Sequence, residues 1–201
     1  MSHRRNAVVL LAGLLIGGVA FSSPKLLQDI PLKWTPTQGL ADMGAVDVSG
    51  TLLAAKIHVD TFIDTRQDPK KVGENLENAA KPLPVTTADD VAAYVTGHFR
   101  ETLRSAGVNV VEGPGDITLG GELSQFLVTE TNTYRGELHL LIHVKNPAGK
   151  EIWSGVILGG SERWGRSYKA ENYYETISDT VLNAAHNLLT NAAFHEALNK
   201  R

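Results

Sequence analysis

The chain carries seven histidines, and imidazole is the side chain best suited to metal ligation and to proton transfer near neutral pH. His139 and His143 fall on one face of a strand-patterned segment. Four residues of strand span about 13 Å, so these two rings would approach one zinc ion from nearly opposite sides. His58 could join from a neighbouring strand. His186 and His195 stand nine residues apart in a helix-patterned segment, which puts them on opposite sides at about 100° per residue. The histidines therefore read as polar positions on an open sheet face and on helix surfaces, and no metal is expected. Covalent catalysis has as little support. No Gly-x-Ser-x-Gly elbow occurs. Ser124 sits mid-strand between Leu123 and Gln125, and Ser161 follows Gly159-Gly160 with no histidine nearby. Glu162, Glu171 and Glu175 are spread over a loop and a helix start, without the fixed cleft that paired acid–base carboxylates need. Gly113-Pro-Gly115 precedes a strand instead of a helix and cannot cradle a phosphate. The expectation is a protein with no catalytic residues and no cofactor.

Two segments stand out as binding candidates. Asp64, Arg66 and Asp68, followed by Lys70, Lys71 and Gly73, either form a local acid–guanidinium network that fixes a turn or present a polar docking loop. Arg163, Trp164, Arg166 and Tyr168, with Gly165 and Lys169, combine the side chains that dominate binding hot spots, because Trp, Tyr and Arg bury a large area and keep a polar handle. The alternative is a loop whose aromatic rings cap the sheet edge and core.

The surrounding elements follow from periodicity. Residues 51–63 read as a first strand, with Ile57, Val59, Thr61 and Ile63 on one face. Residues 64–86 read as a long mobile loop. Thr87 reads as the cap of a helix whose inward stripe is Val91, Val95, Phe99 and Leu103, closed by Gly107. A short strand at 108–111 follows. Three long strands come next, at about 117–129, 135–145 and 151–159, with the last pair joined by the turn Asn146-Pro-Ala-Gly149. In the middle strand Leu138, Leu140, Ile142 and Val144 point one way, and His139, Leu141, His143 and Lys145 the other. One apolar and one mixed face is the pattern of a sheet covered on a single side. A helix over about 171–198 closes the chain. The fold class expected is α+β: a mostly antiparallel sheet of about five strands with two helices packed on one face, in the order strand, helix, four strands, helix.

Arg4 and Arg5 precede the unbroken run AVVLLAGLLIGGVA at 7–20, and Ser22 and Ser23 follow it. The run is short for a span, which takes about 20 residues, so residues 1–23 read as a secretory signal peptide, with an uncleaved N-terminal anchor as the alternative. Residues 24–50, broken by Pro24, Pro31, Pro36 and Gly39, read as an extended linker, and 51–201 as a single domain. The formal charge is −3 and no basic stripe occurs, which argues against a nucleic-acid partner. The chain has no cysteine, which excludes disulfides, thiol chemistry and acylation of an N-terminal cysteine.

The export signal, the strand entering Asp64-Thr-Arg66, the helix ending at Ala106-Gly107, the Gly-Pro turn, the three long strands and the final VLNAAHNLLTNAAFHEAL at 181–198 together resemble the YajG-type envelope lipoprotein family of Gram-negative bacteria. The resemblance covers roughly residues 40–198. It implies an envelope protein of α+β fold and supplies no catalytic residues; the lipid-bearing cysteine of that family is absent here. The expectation is a periplasmic, non-catalytic accessory or interaction protein. Its partner would be an envelope protein or a second copy, and it would contact membrane only through an uncleaved N-terminal segment. A small-ligand or lipid carrier is the alternative, and a periplasmic hydrolase a third.

Overall fold

A computed structural model describes residues 26–44 and 50–200. Its spine is the fourteen-residue strand β6 (Ile117–Glu130). Alternation sends Ile117, Leu119 and Leu123 inward. A bulge between Leu123 and Gln125 then resets the phase, so that Phe126, Val128 and Glu130 continue the buried row. Along one edge β6 pairs antiparallel with β7 (Thr133–Lys145), and β7 with β8 (Glu151–Trp164). The β7–β8 turn is the expected one. Gly149 takes a φ of 77°, and the Asn146 side chain accepts from the amides of Ala148 and Lys150. Along its other edge β6 pairs in succession with β1 (Ile57–Val59), β2 (Ile63–Asp64) and β3 (Lys71–Asn75), all parallel. Beyond β1 lies β5 (Val110–Val111), parallel. Beyond β3 lies β4 (Leu83–Thr86), antiparallel.

The described chain is therefore α+β as expected, but its sheet is mixed and has eight strands instead of five. The three parallel partners of β6 are two to five residues long. Strands that short leave almost no periodicity to read. Residues 51–63 are not one strand: α1 (Gly50–Ala54) precedes β1, and Leu52 and Ala55 are buried at helical spacing. Residues 64–86 are not a loop throughout, since β3 and β4 lie inside them with Val72 and Val85 fully buried.

Helix α2 (Val91–Ser105) crosses the inner face and supplies the crossover that parallel strands require. Val91, Val95, Phe99 and Leu103 are its buried stripe, and Gly107 closes it at φ 86°. The cap is Asp90, which accepts from the Ala93 amide; the Thr87 hydroxyl instead accepts from the amide of Asp89. The second long helix ends early. Thr190 interrupts it, and Asn191 caps a separate helix by accepting from the Phe194 amide, giving α3 (Ala170–Leu189) and α4 (Ala192–Asn199). Ile177, Val181, Ala184 and Leu188 of α3 join Leu138, Leu140 and Ile157 in one buried cluster.

Helix α3 lies unusually close to the sheet, and glycines make that approach geometrically feasible. A Cβ on Gly159 would stand 2.3 Å from the Thr180 carbonyl oxygen, one on Gly136 2.0 Å from the Thr180 hydroxyl, and one on Gly73 2.5 Å from the Tyr173 ring. The outer edge of β8 is partly covered as well. Asn183 accepts from the Gly160 amide at 2.9 Å, and Asn187 donates to the Leu158 carbonyl at 2.8 Å. Two groups of an otherwise unpaired edge are thus satisfied by side chains of α3.

Residues 26–39 run extended, as the prolines imply, and are tied down along their length. Leu27 and Ile30 bond to the backbone of Thr86 on β4. The Thr35 amide donates to the Ser178 hydroxyl, and the amide and hydroxyl of Thr37 both donate to the Asp179 carboxylate. Trp34 stacks on His98 of α2 with ring centres 4.1 Å apart. The segment is a strap across the helical layer. Residues 1–25 and 45–49, including the signal-peptide reading, lie outside the described residues.

Candidate binding surfaces

The Arg163–Tyr168 run lies at the end of the sheet where β6 passes into β7, and one buried carboxylate organises it. Glu130 continues the inward row of β6 and has no exposed surface. It accepts from the hydroxyls of Tyr134 (2.6 Å) and Tyr173 (2.8 Å) and from the amides of Ser167 and Tyr168 (2.8 Å each). Burial pushes its pKa up, but hydrogen bonds from Tyr134, the Tyr168 amide, Asn75 and Tyr173 outweigh that and hold it below the usual carboxylate value. Burial, and then the charge of Glu130, push the Tyr173 phenol up. The two amides fix a turn in which Tyr168 adopts φ 43°, a conformation costly for a residue with a side chain.

That turn separates the four candidate residues. Tyr168 is structural: its hydroxyl accepts from the Leu27 amide and donates to the Pro84 carbonyl. Arg163 pairs with Glu175 of α3. Arg166 is exposed and bridges Glu77 at 3.5 Å. Trp164 is 81% exposed. Alternation from Ile117 would turn Glu130 outward, and only the bulge between Leu123 and Gln125 brings it into the buried row.

The Asp64–Asp68 segment forms a local network. Asp64 and Arg66 make a two-pronged pair (2.9 and 2.8 Å), and the same guanidinium donates to the carbonyls of Pro69 and Lys71. Burial opposes the charge of Asp64, yet the Arg66 bonds lower its pKa. Asp68 accepts from the amides of Lys70 and Lys71. These groups are spent on holding β2 to β3.

The outer sheet face carries what the sequence did not single out. Ile63, Glu122, Leu141 and Val156 stand in one row across four strands. Leu158 belongs to the next row with Gln125 and His139. Ile63 is 63% exposed, Val156 61% and Leu158 53%. Four strands at about 4.8 Å spacing make this row about 14 Å wide, apolar at Ile63, Leu141 and Val156 and interrupted by Glu122. Beside it lies an open cleft of ≈ 640 Å³ lined by Asp60, Ile63, Gly120, Glu122, His143 and Glu151, among others.

The cleft holds a histidine–acid pair, His143 Nδ1 to Glu151 at 2.8 Å, and that hydrogen bond holds Glu151 below its usual pKa. Ser154 lies opposite His143 in the ladder and helps to hold the Glu151 pKa down. His58 sits 3.2 Å from Asp60. His186 and His195 are on separate helices. Among the described residues no group of three or more histidines and carboxylates is placed to hold a metal ion. No helix among them is long and apolar enough to cross a membrane.

XCC0632 from Xanthomonas campestris, a DUF330 protein, superposes with a TM-score of 0.55 at 8% identity, over 87% of this chain and 96% of that one. The fold is shared with a DUF330 protein. Two further likenesses are weaker and carry no argument. A "putative lipoprotein" from Caulobacter crescentus gives a TM-score of 0.44 at 11% identity, over 53% of this chain and 85% of that one. The PelC dodecamer from Paraburkholderia phytofirmans gives 0.39 at 14%, over 65% and 86%. No family model and no curated protein matches the sequence.

Proposed function

We propose that this chain is a non-catalytic accessory protein of the bacterial envelope, periplasmic in location, that binds an envelope protein or a second copy across the outer face of β6–β8. The apolar cluster Leu141, Val156 and Leu158, with Ile63 beyond Glu122 in the same row, carries the reading, since the helical layer covers only the other face. The arginine-led apolar run at the N-terminus and the YajG-type pattern along the chain support an envelope role, and the DUF330-like fold is compatible with it. The cleft beside the row favours the second reading, a small-ligand carrier, with the ligand on the outer face. Between helix and sheet, Gly136 and Gly159 let Thr180 fill the space.

A photo-crosslinking residue at 156 or 158, expressed in the native envelope, tests the proposal. The expected result is one adduct of defined mass at both positions and none at Glu101 on the exposed side of α2. A doubled mass identifies self-association. Equal adducts at all three positions, or none, defeat the reading. A small-molecule mass increment in native mass spectrometry supports the carrier instead.

A further inference from the structure

We infer that the end of the sheet bearing Trp164 is the surface on which this domain sits against a lipid bilayer. The inference rests on the envelope reading together with the uncleaved-anchor alternative for residues 1–23, and adds to them an orientation. The first observation is where the chain enters. The Leu27 amide bonds to the Tyr168 hydroxyl, which in turn bonds to Pro84. From there the strap runs toward Ser178 and Asp179, away from that end. The chain preceding Leu26 therefore leaves from the same end of the sheet as the Arg163–Tyr168 turn.

The second observation is the length of that tether. Five residues, 21–25, separate the apolar run at 7–20 from Leu26. Fully extended, five residues reach at most about 17 Å. With the run in a bilayer, the domain cannot drift away or turn this end outward.

The third observation is chemical. Trp164 is 81% exposed and Leu26 45%; Glu77, Glu162 and Glu175 at this end each face an arginine, and Glu171 in the first turn of α3 is exposed. An exposed indole among polar neighbours suits the boundary between headgroups and acyl chains. The other two tryptophans are elsewhere: Trp34 stacks on α2, and Trp153 packs against Phe194 at the opposite end of β8.

The test reconstitutes the full chain into phosphatidylethanolamine–phosphatidylglycerol vesicles containing a lipid brominated high on its acyl chains, and reads tryptophan fluorescence after flotation. The expected result is a loss of about a third of the emission, the share of one tryptophan in three. Trp164→Phe should abolish this loss and Trp153→Phe preserve it. Quenching that survives Trp164→Phe overturns the inference. So does a floated chain whose Trp164 is quenched by aqueous iodide and not by bromine. A chain that stays in the aqueous fraction overturns the tether, and the seat with it. That failure leaves the crosslinking result at 156 and 158 standing, so the two ideas fail separately.

Discussion

Glu130→Gln is the sharpest perturbation available, because one buried charge holds the turn that presents Trp164. The carboxylate receives two phenol and two amide hydrogen bonds. A bond to a charged acceptor contributes about 1.5–3 kcal/mol and a neutral one about 0.5–1.5, so each of three retained bonds weakens by roughly 1 kcal/mol. The fourth site becomes an NH₂ group facing a Tyr173 hydroxyl that must turn to accept. Removing the buried charge itself returns some desolvation cost. The net expectation is a loss of about 2–4 kcal/mol at pH 7. The pH dependence has a definite sign. The folded pKa lies below the unfolded value, so the stabilisation is complete above about pH 4.3, where the unfolded glutamate is ionised, and is lost as pH falls through the lower folded value. Urea melts of both chains from pH 3 to 8 measure this, and the gap between them should narrow at the acid end. Trypsin should also cut sooner at Arg166 or Lys169 in the variant. A variant as stable as the parent at pH 7, or a gap independent of pH, would refute the account of this carboxylate.

Two further outcomes follow from positions already described. Gly159→Ala should cost about 1–3 kcal/mol or more in urea melts, since its Cβ meets backbone that cannot turn aside, while Gly160→Ala, whose Cβ would meet only the Gly136 carbonyl at an ordinary 3.9 Å, should be nearly neutral; equal effects would show that α3 can lift off the sheet. Trp164→Ala should leave the thermal midpoint of the soluble domain within the range of ordinary surface changes, about 0.5 kcal/mol, whereas a drop of several kcal/mol would mean the ring is packed in solution.

The long elements were legible because they are long. Thirteen residues of β7 alternate without interruption, so both faces could be assigned from sequence, and the buried stripe of α2 and its closing glycine follow from spacing alone. The short parallel strands were not legible. TLLAA at 51–55 suits a helix turn as well as a strand, and β2 is two residues long. The boundary between α3 and α4 carries no glycine or proline, and the apolar rhythm runs through it. The Arg163–Tyr168 run was recognisable by composition, but its division into a structural Tyr168 and an exposed Trp164 depends on Glu130, which is remote in sequence. The outer row Ile63–Glu122–Leu141–Val156 draws one residue from each of four strands, so no single window could reveal it.

The strap also sets an order of events. Its bonds to Ser178 and Asp179 join residues 142–145 positions apart, so the far end of the strap finds its place only after nearly the last of the domain has been made. Contacts closed over such distances in sequence form late and slowly. A chain read as crossing a membrane gains from that delay. While α3 is still missing, Thr35 and Thr37 lack their partners and the strap is held only by β4 and α2, so the finished fold locks only when the helix that receives its far end has arrived on the same side.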